Sequence, residues 1–186
     1  MGAGLREVDT PLTERGYDIY ELLSALQKDI RRCNEYPAVY WAIELETFNP
    51  KMLWNRLRVI ASEDIGVADP QATLIVHVLE KQYFEALEKK NSSKKLFLVH
   101  AVLYLARTYK SRIVDDLLLN VEGNIEAGEK LEIPDYALDN HTYRGRKRGR
   151  DVKFFVEEGS KVNNENIENP YKKKASEILL KNRNNI

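Results

Sequence analysis

The sequence predicts an all-α fold, a helical bundle, and three observations carry that prediction. Apolar residues recur at helical spacing in six consecutive stretches. Alternation of the kind a half-buried strand needs is almost absent. Cap residues and prolines stand where the stretches begin, and the connections between them are short.

Residues 1–16 carry Gly2, Gly4, Pro11 and Gly16 with no periodicity and read as a flexible arm. Asp18, with Glu21 three residues on, makes a capping box, and Ile19, Leu22, Leu23, Leu26 and Ile30 follow to about Cys33. Pro37 suits the first turn of a second helix with Val39, Tyr40, Ile43 and Phe48 as its apolar face. Asn49-Pro50 opens a third through Leu53, Trp54, Leu57, Ile60 and Ala61, with Gly66 placed to end it. Asp69-Pro70 starts a fourth, through Leu74, Ile75, Val78, Leu79 and Phe84 to about Lys90. Ser92 or Ser93 caps a fifth with a face of Leu96, Val99, Leu103 and Ala106. Ser111 caps a sixth, carrying Ile113, Val114, Leu117, Leu118 and Val121.

After Gly128 the character changes. Ile133-Pro134-Asp135 breaks the pattern, Gly145 and Gly149 punctuate a basic run, and Val152–Val156 is a short apolar segment. Residues 163–170 are Asn-rich and read as loose, and Lys172 to Lys181 as a last amphipathic helix. The expected organisation is an arm over 1–16, a helical domain over 17–130 and a partly ordered basic extension over 131–186.

At 186 residues the chain suits one domain with a tail, and 43% apolar residues suffice for a core. The 29 basic and 29 acidic side chains balance only overall. Residues 1–140 hold 17 basic and 23 acidic groups, a net of −6, and residues 141–186 hold 12 and 6, a net of +6. Such asymmetry marks a tail that meets an acidic partner or folds back on an acidic body. A single cysteine, Cys33, excludes an intramolecular disulfide and a Cys-rich zinc site. The start MGAGLREVDT lacks a signal-peptide core, and the longest apolar run, Leu96–Ala106, is 11 residues, too short to span a bilayer. A soluble, cytoplasmic protein with no membrane partner is the expectation.

Three constellations carry chemistry. Glu63, Asp64 and Asp69 lie around a helix–turn–helix corner. Gathered carboxylates can hold a cation or serve as acid and base. The architectural reading is that Asp69 caps a helix, while Glu63 and Asp64, near a helix end, need a compensating cation or N–H. His77 and His100 fall near apolar stripes as core or boundary side chains, and no HExxH occurs. Neither a phosphate-binding G-x-x-x-x-G-K-[ST] loop nor a post-strand G-x-G-x-x-G is present, so no cofactor and no catalytic residue is assigned. The third constellation, His141 to Arg150, is the most pointed. Arg144, Arg146, Lys147, Arg148 and Arg150 can neutralise phosphates, two glycines let the backbone approach them, and Tyr143 can stack on a base. The same tract also reads as a solvated charge run or as a clamp onto the acidic body.

The run Trp54-Asn-Arg-Leu-Arg-Val-Ile-Ala-Ser-Glu-Asp-Ile-Gly-Val-Ala-Asp-Pro-Gln-Ala72 closely resembles the hallmark of the C-terminal region of the RarA/MgsA family. These are AAA+ ATPases of replication-fork maintenance, related to clamp loaders and to the Werner-helicase-interacting proteins. Tyr17-Asp18 through Ala38, Tyr40-Trp41 and Ala101–Ala106 with Lys110-Ser111 agree in order and spacing, so the resemblance covers about residues 17–125. It marks Arg58, Ala61, Ser62, Glu63, Asp64, Gly66, Asp69 and Pro70 as structural hallmark positions. The family's ATPase module has no counterpart here, and none of its catalytic residues carries over. What remains resembles the clamp-loader-like oligomerisation domain, which in this family assembles typically as a tetramer. After residue 130 the chain departs from the Pro-x-His-Leu-Arg tract usual in relatives.

The resemblance implies a non-catalytic assembly and DNA-binding domain in replication or repair. Its partners would be further copies, DNA bound with low specificity, and an AAA+ ATPase or replication protein. The helices holding Trp54–Ile65 and Leu96–Ala106 would form the core and the subunit interface. The rival reading is an enzyme of unknown type with Glu63, Asp64, Asp69 and His100 in one pocket.

Overall fold

A computed structural model describes residues 10–181, which contain nine helices and one isolated antiparallel bridge, Leu12 with Asp18. The chain divides into two compact units, Met1–Ala127 and Gly128–Ile186. Residues 1–9 of the N-terminal arm lie outside the described residues. Residues 11–18 form a turn: the Thr13 N–H donates to the Tyr17 carbonyl at 2.8 Å and the Ile19 N–H to the Pro11 carbonyl at 3.2 Å. Gly16, at φ +83°, makes that turn sterically accessible.

In the first unit, helix α1 spans Ile19–Arg31 and opens on Asp18, whose carboxylate accepts from the Tyr20 and Glu21 N–H groups. The Asn34 N–H returns to the Asp29 carbonyl and the Cys33 N–H to the Ile30 carbonyl, a Schellman close that puts Cys33 at φ +62°. Helix α2 (Glu35–Phe48) follows, then α3 (Pro50–Ile60), which has Pro50 at its first position and Asn49 accepting from the Met52 N–H. Leu53, Trp54, Leu57, Ile60 and Ala61 are all fully buried, the face that the spacing predicts. A π-helical turn, Ala61–Ile65, and a 3-10 turn, Gly66–Ala68, then make the corner. Gly66 sits at φ +49°, and a Cβ there would lie 2.9 Å from Val114 Cγ2.

Helices α4 (Ala72–Glu88), α5 (Lys94–Arg107) and α6 (Ile113–Glu126) complete this unit. The core forms where α1 packs on α2, α2 on α5, and α4 on α5. Three apolar faces differ from the predicted ones. On α2 the buried apolar positions are Ala38, Ala42 and Leu45, with Val39 and Ile43 half-buried and Phe48 exposed. On α4 they are Ala72, Val76, Leu79, Tyr83 and Ala86, while Leu74 and Val78 are exposed. On α5 they are Leu98, Ala101, Val102, Leu105 and Ala106, and Leu96 is 70% exposed. These helices are apolar around most of their circumference, so periodicity singles out no stripe. Neighbouring helices choose the face, and the buried alanines let the axes approach. Ser92 and Ser93 do not cap α5; the Asn91 side chain accepts from the Ser93 N–H instead.

The second unit has a 3-10 turn at Asp135–Ala137, short helices α7 (Tyr143–Lys147) and α8 (Val152–Phe154), a π-helical turn Phe155–Gly159, and α9 (Lys172–Lys181). Leu138 and Gly145 are its only buried residues among those described.

Candidate assembly and nucleic-acid surfaces

The acidic corner is a buried polar network. Asp64 is fully buried, and its Oδ1 accepts from Arg31 Nε at 2.6 Å and from Arg112 Nη1 at 3.4 Å. Its Oδ2 accepts from Gln27 Nε2 at 2.9 Å, and its carbonyl accepts from the Ser111 N–H at 2.8 Å. Glu63 Oε1 accepts from Arg31 at 3.2 Å and Arg112 at 2.9 Å. The compensation these acids require at a helix end therefore comes from α1 and from the turn before α6. Burying a carboxylate is tolerable only with such partners, and removing one leaves an uncompensated charge. Among the other hallmark positions, Ala61 is buried, Ser62 and Pro70 are exposed, and Arg58 donates to Asn55 at 3.2 Å and pairs with Glu80 at 3.7 Å.

The acid–histidine pocket does not form. Asp69 Oδ2 accepts from the Tyr104 hydroxyl at 2.5 Å and from the Thr108 hydroxyl at 2.7 Å, and Oδ1 from the Gln71 N–H at 3.1 Å. These bonds hold its carboxyl below the usual range and push Tyr104 up to about 12. Asp69 therefore ties the start of α4 to the end of α5. Asp64 is saturated and closed to solvent, and His100 and His77 are exposed rather than on the core boundary. No group of three His, Cys, Asp or Glu residues among those described is placed to hold a metal ion.

The basic tract lies mostly on α7. Thr142 caps this helix by accepting from the Gly145 N–H at 3.0 Å. Gly149, at φ +72°, closes it: the Arg150 N–H donates to the Gly145 carbonyl and the Gly149 N–H to the Arg146 carbonyl, each at 3.0 Å. Gly145 does not leave the backbone open to a phosphate. It is buried, and a Cβ there would meet the Asp139 carbonyl oxygen at 1.8 Å. The five cations fall into three groups. Arg148 and Arg150 donate to the two oxygens of Asp135 at 2.9 and 2.7 Å, and Arg150 stacks on Phe154 at 3.9 Å. Arg146 donates to the backbone carbonyls of Asn140 and His141. Arg144 and Lys147 have no carboxylate partner among the described residues, and Lys147 lies over the exposed Tyr143 ring. An open hollow of about 540 Å³, lined in part by Lys130, Arg144 and Arg148, runs beside them.

The segments Trp54–Ile65 and Leu96–Ala106, expected to form the core and the subunit interface, supply core residues of their own unit, among them Trp54, Leu57, Ile60, Leu98, Val102 and Leu105. A run of exposed apolar side chains lies on α6, where no residue is buried. Ile113, Val114, Leu117, Leu118, Leu119, Val121 and Ile125 are each 40–63% exposed. The sequence signal was present, since apolar residues on every side of one helix leave some without a partner in any two-layer packing.

The family model for the C-terminal part of MgsA AAA+ ATPases matches residues 34–177. The replication-associated recombination protein A of Coxiella burnetii (strain RSA 493 / Nine Mile phase I) is 29% identical over 160 residues, 83% of this chain and 34% of that protein. Its namesake in Bacillus subtilis (strain 168) is 31% identical over 143 residues, 73% of this chain and 32% of that protein. ATPase WRNIP1 of Dictyostelium discoideum is 27% identical over 137 residues, 72% and 15% respectively. The chain thus spans about a third or less of the length of these curated relatives.

Proposed function

The chain belongs to the family of the MgsA AAA+ ATPase C-terminal region, and from that premise we propose that it is an assembly module that also contacts nucleic acid in replication or recombination. The observation that carries this reading is the uncovered apolar surface of α6. Monomeric proteins rarely leave so many large apolar side chains together in water, and such patches mark interaction surfaces. A second copy is the proposed occupant, in a closed tetramer of the kind the clamp-loader-like resemblance implies. The proposal assigns the chain no nucleotide hydrolysis of its own, because the sequence offers no phosphate-binding loop. An ATPase subunit or a replication protein would be engaged as a partner.

The nucleic-acid contact is assigned to the 144–150 tract, with Arg144 and Lys147 available directly and Arg148 and Arg150 available on exchange of Asp135 for phosphate. Such binding is sequence-tolerant and weakens with salt.

Light scattering tests the assembly. The chain at tens of micromolar is expected to have the mass of a tetramer. Leu118→Lys with Val121→Lys is expected to give a folded monomer whose melting temperature no longer rises with protein concentration, because a partner copy stabilises the native state by mass action. A concentration-independent monomer for the unaltered chain overturns the proposal.

A further inference from the structure

We propose that the hollow between α1, α3 and the π-helical turn binds the backbone of single-stranded nucleic acid, with a phosphate on Lys28, Arg31 and Arg56 and a base on Tyr20. The hollow measures about 350 Å³, and every residue lining it belongs to the first unit. Tyr20, Gln27, Lys28 and Arg31 line it from one face of α1, Arg56 from α3 and Glu63 from the turn.

Its cations are held in place with donors to spare. Arg31 commits Nε to Asp64 and Nη2 to Glu63, and no hydrogen bond among the described residues uses Nη1. Arg56 commits only Nη1, to Gln27 Oε1 at 3.0 Å, and Gln27 in turn donates to the buried Asp64. Lys28 Nζ donates to Ser24 Oγ at 2.5 Å. Neither Arg56 nor Lys28 has a carboxylate within ion-pair distance among the described residues, unlike Arg15, Arg58, Arg107 and Arg112 in the same unit. The one acid on the wall, Glu63, is shared by Arg31 and Arg112, which also hold the buried Asp64, so the positive charge of the hollow that no carboxylate takes lies on Lys28 and Arg56. Guanidinium groups fixed by a buried carboxylate lose little freedom when they bind an oxyanion in their fork geometry. Tyr20 is 59% exposed and its hydroxyl makes no hydrogen bond among the described residues, which leaves the ring available for stacking.

Fluorescence anisotropy of the full chain with fluorescein-labelled dT15 tests the site. Arg56→Gln with Lys28→Gln is expected to lower the salt slope by about 1.4, at roughly 0.7 per lost single-strand phosphate contact. Tyr20→Ala is expected to weaken binding about tenfold and leave the slope unchanged. Both effects are expected to persist when Arg144 and Lys147 are already alanine, which separates this site from the tract. Unchanged affinity and slope in Arg56→Gln with Lys28→Gln, with the melting curve intact, overturns the proposal. Inorganic phosphate that raises the melting temperature only while Arg56 is present, with dT15 binding unaffected by any of these changes, also overturns it.

Discussion

Glu46 is a buried carboxylate with three partners. The Tyr83 hydroxyl donates to its Oε1 at 2.8 Å, Lys94 reaches the same oxygen, and Lys95 lies 3.8 Å from the other. Burial raises its carboxyl, but the bonds from Lys94 and Tyr83 and the charges of both lysines outweigh burial and hold it below the ordinary value. A group depressed on folding stabilises the fold fully above its unfolded pKa, about 4.3 for Glu, and loses that contribution as pH falls through the folded value. Glu46→Gln is therefore expected to destabilise the chain at pH 7 by about 1–3 kcal/mol, by leaving buried donors poorly matched. The gap to the unaltered protein should narrow below about pH 4, which thermal melts across pH 3–7 will check; a constant gap contradicts the assignment. The sequence shows none of this, because Glu46, Tyr83 and Lys94 meet only through packing. What it does show at this scale is local. Asp18 and Asn49 announce their helices because a cap bonds N–H groups two or three residues away. Cys33 and Lys90, where the apolar spacing already places the ends of their helices, close them at φ +62° and +53°, a conformation the sequence does not announce because neither is the Gly or Asn that such a turn favours.

Among the elements, α3 was legible and α5 was not, and the difference is amphipathicity. On α3 the apolar positions make a single stripe, so periodicity and burial coincide. On α5 nearly every residue from Leu96 to Ala106 is apolar, and contacts with α4 and α2 select Leu98, Ala101, Val102 and Leu105. The selection has an energetic consequence. Leu98→Ala is expected to cost about 2–5 kcal/mol, as for buried leucines generally. Leu96→Ala is expected to stay within about 0.5 kcal/mol, because it removes little buried surface. Denaturant titrations giving the reverse order would put the other face of α5 in the core. The corner was legible only as a need. The spacing of Glu63 and Asp64 showed that two acids sat where a helix end disfavours them, and Arg31 and Arg112, 32 or more residues away in sequence, supply the remedy.

Across the whole molecule the sequence marks an acidic body and a basic extension, and the described second unit begins at Gly128, close to that change. Composition does not show that the extension spends part of its own charge. Asp135 takes both Arg148 and Arg150 in an arrangement where one carboxylate does what a phosphate would do. If the tract meets nucleic acid, this carboxylate competes for it, and its removal should strengthen binding rather than weaken the fold. Asp135 is 60% exposed at its side chain, so Asn in its place keeps the turn while removing the charge. Asp135→Asn is expected to raise affinity for a labelled oligonucleotide at low salt and to steepen the salt slope by roughly 1.4–1.8, as two released cations become available at about 0.7–0.9 each. Arg144→Ala with Lys147→Ala is expected to act in the opposite sense. A purely structural Asp135 gives a different pair of readings, a lower melting temperature with no gain in binding. That result would make the tract an internal clamp within its own unit, on Asp135.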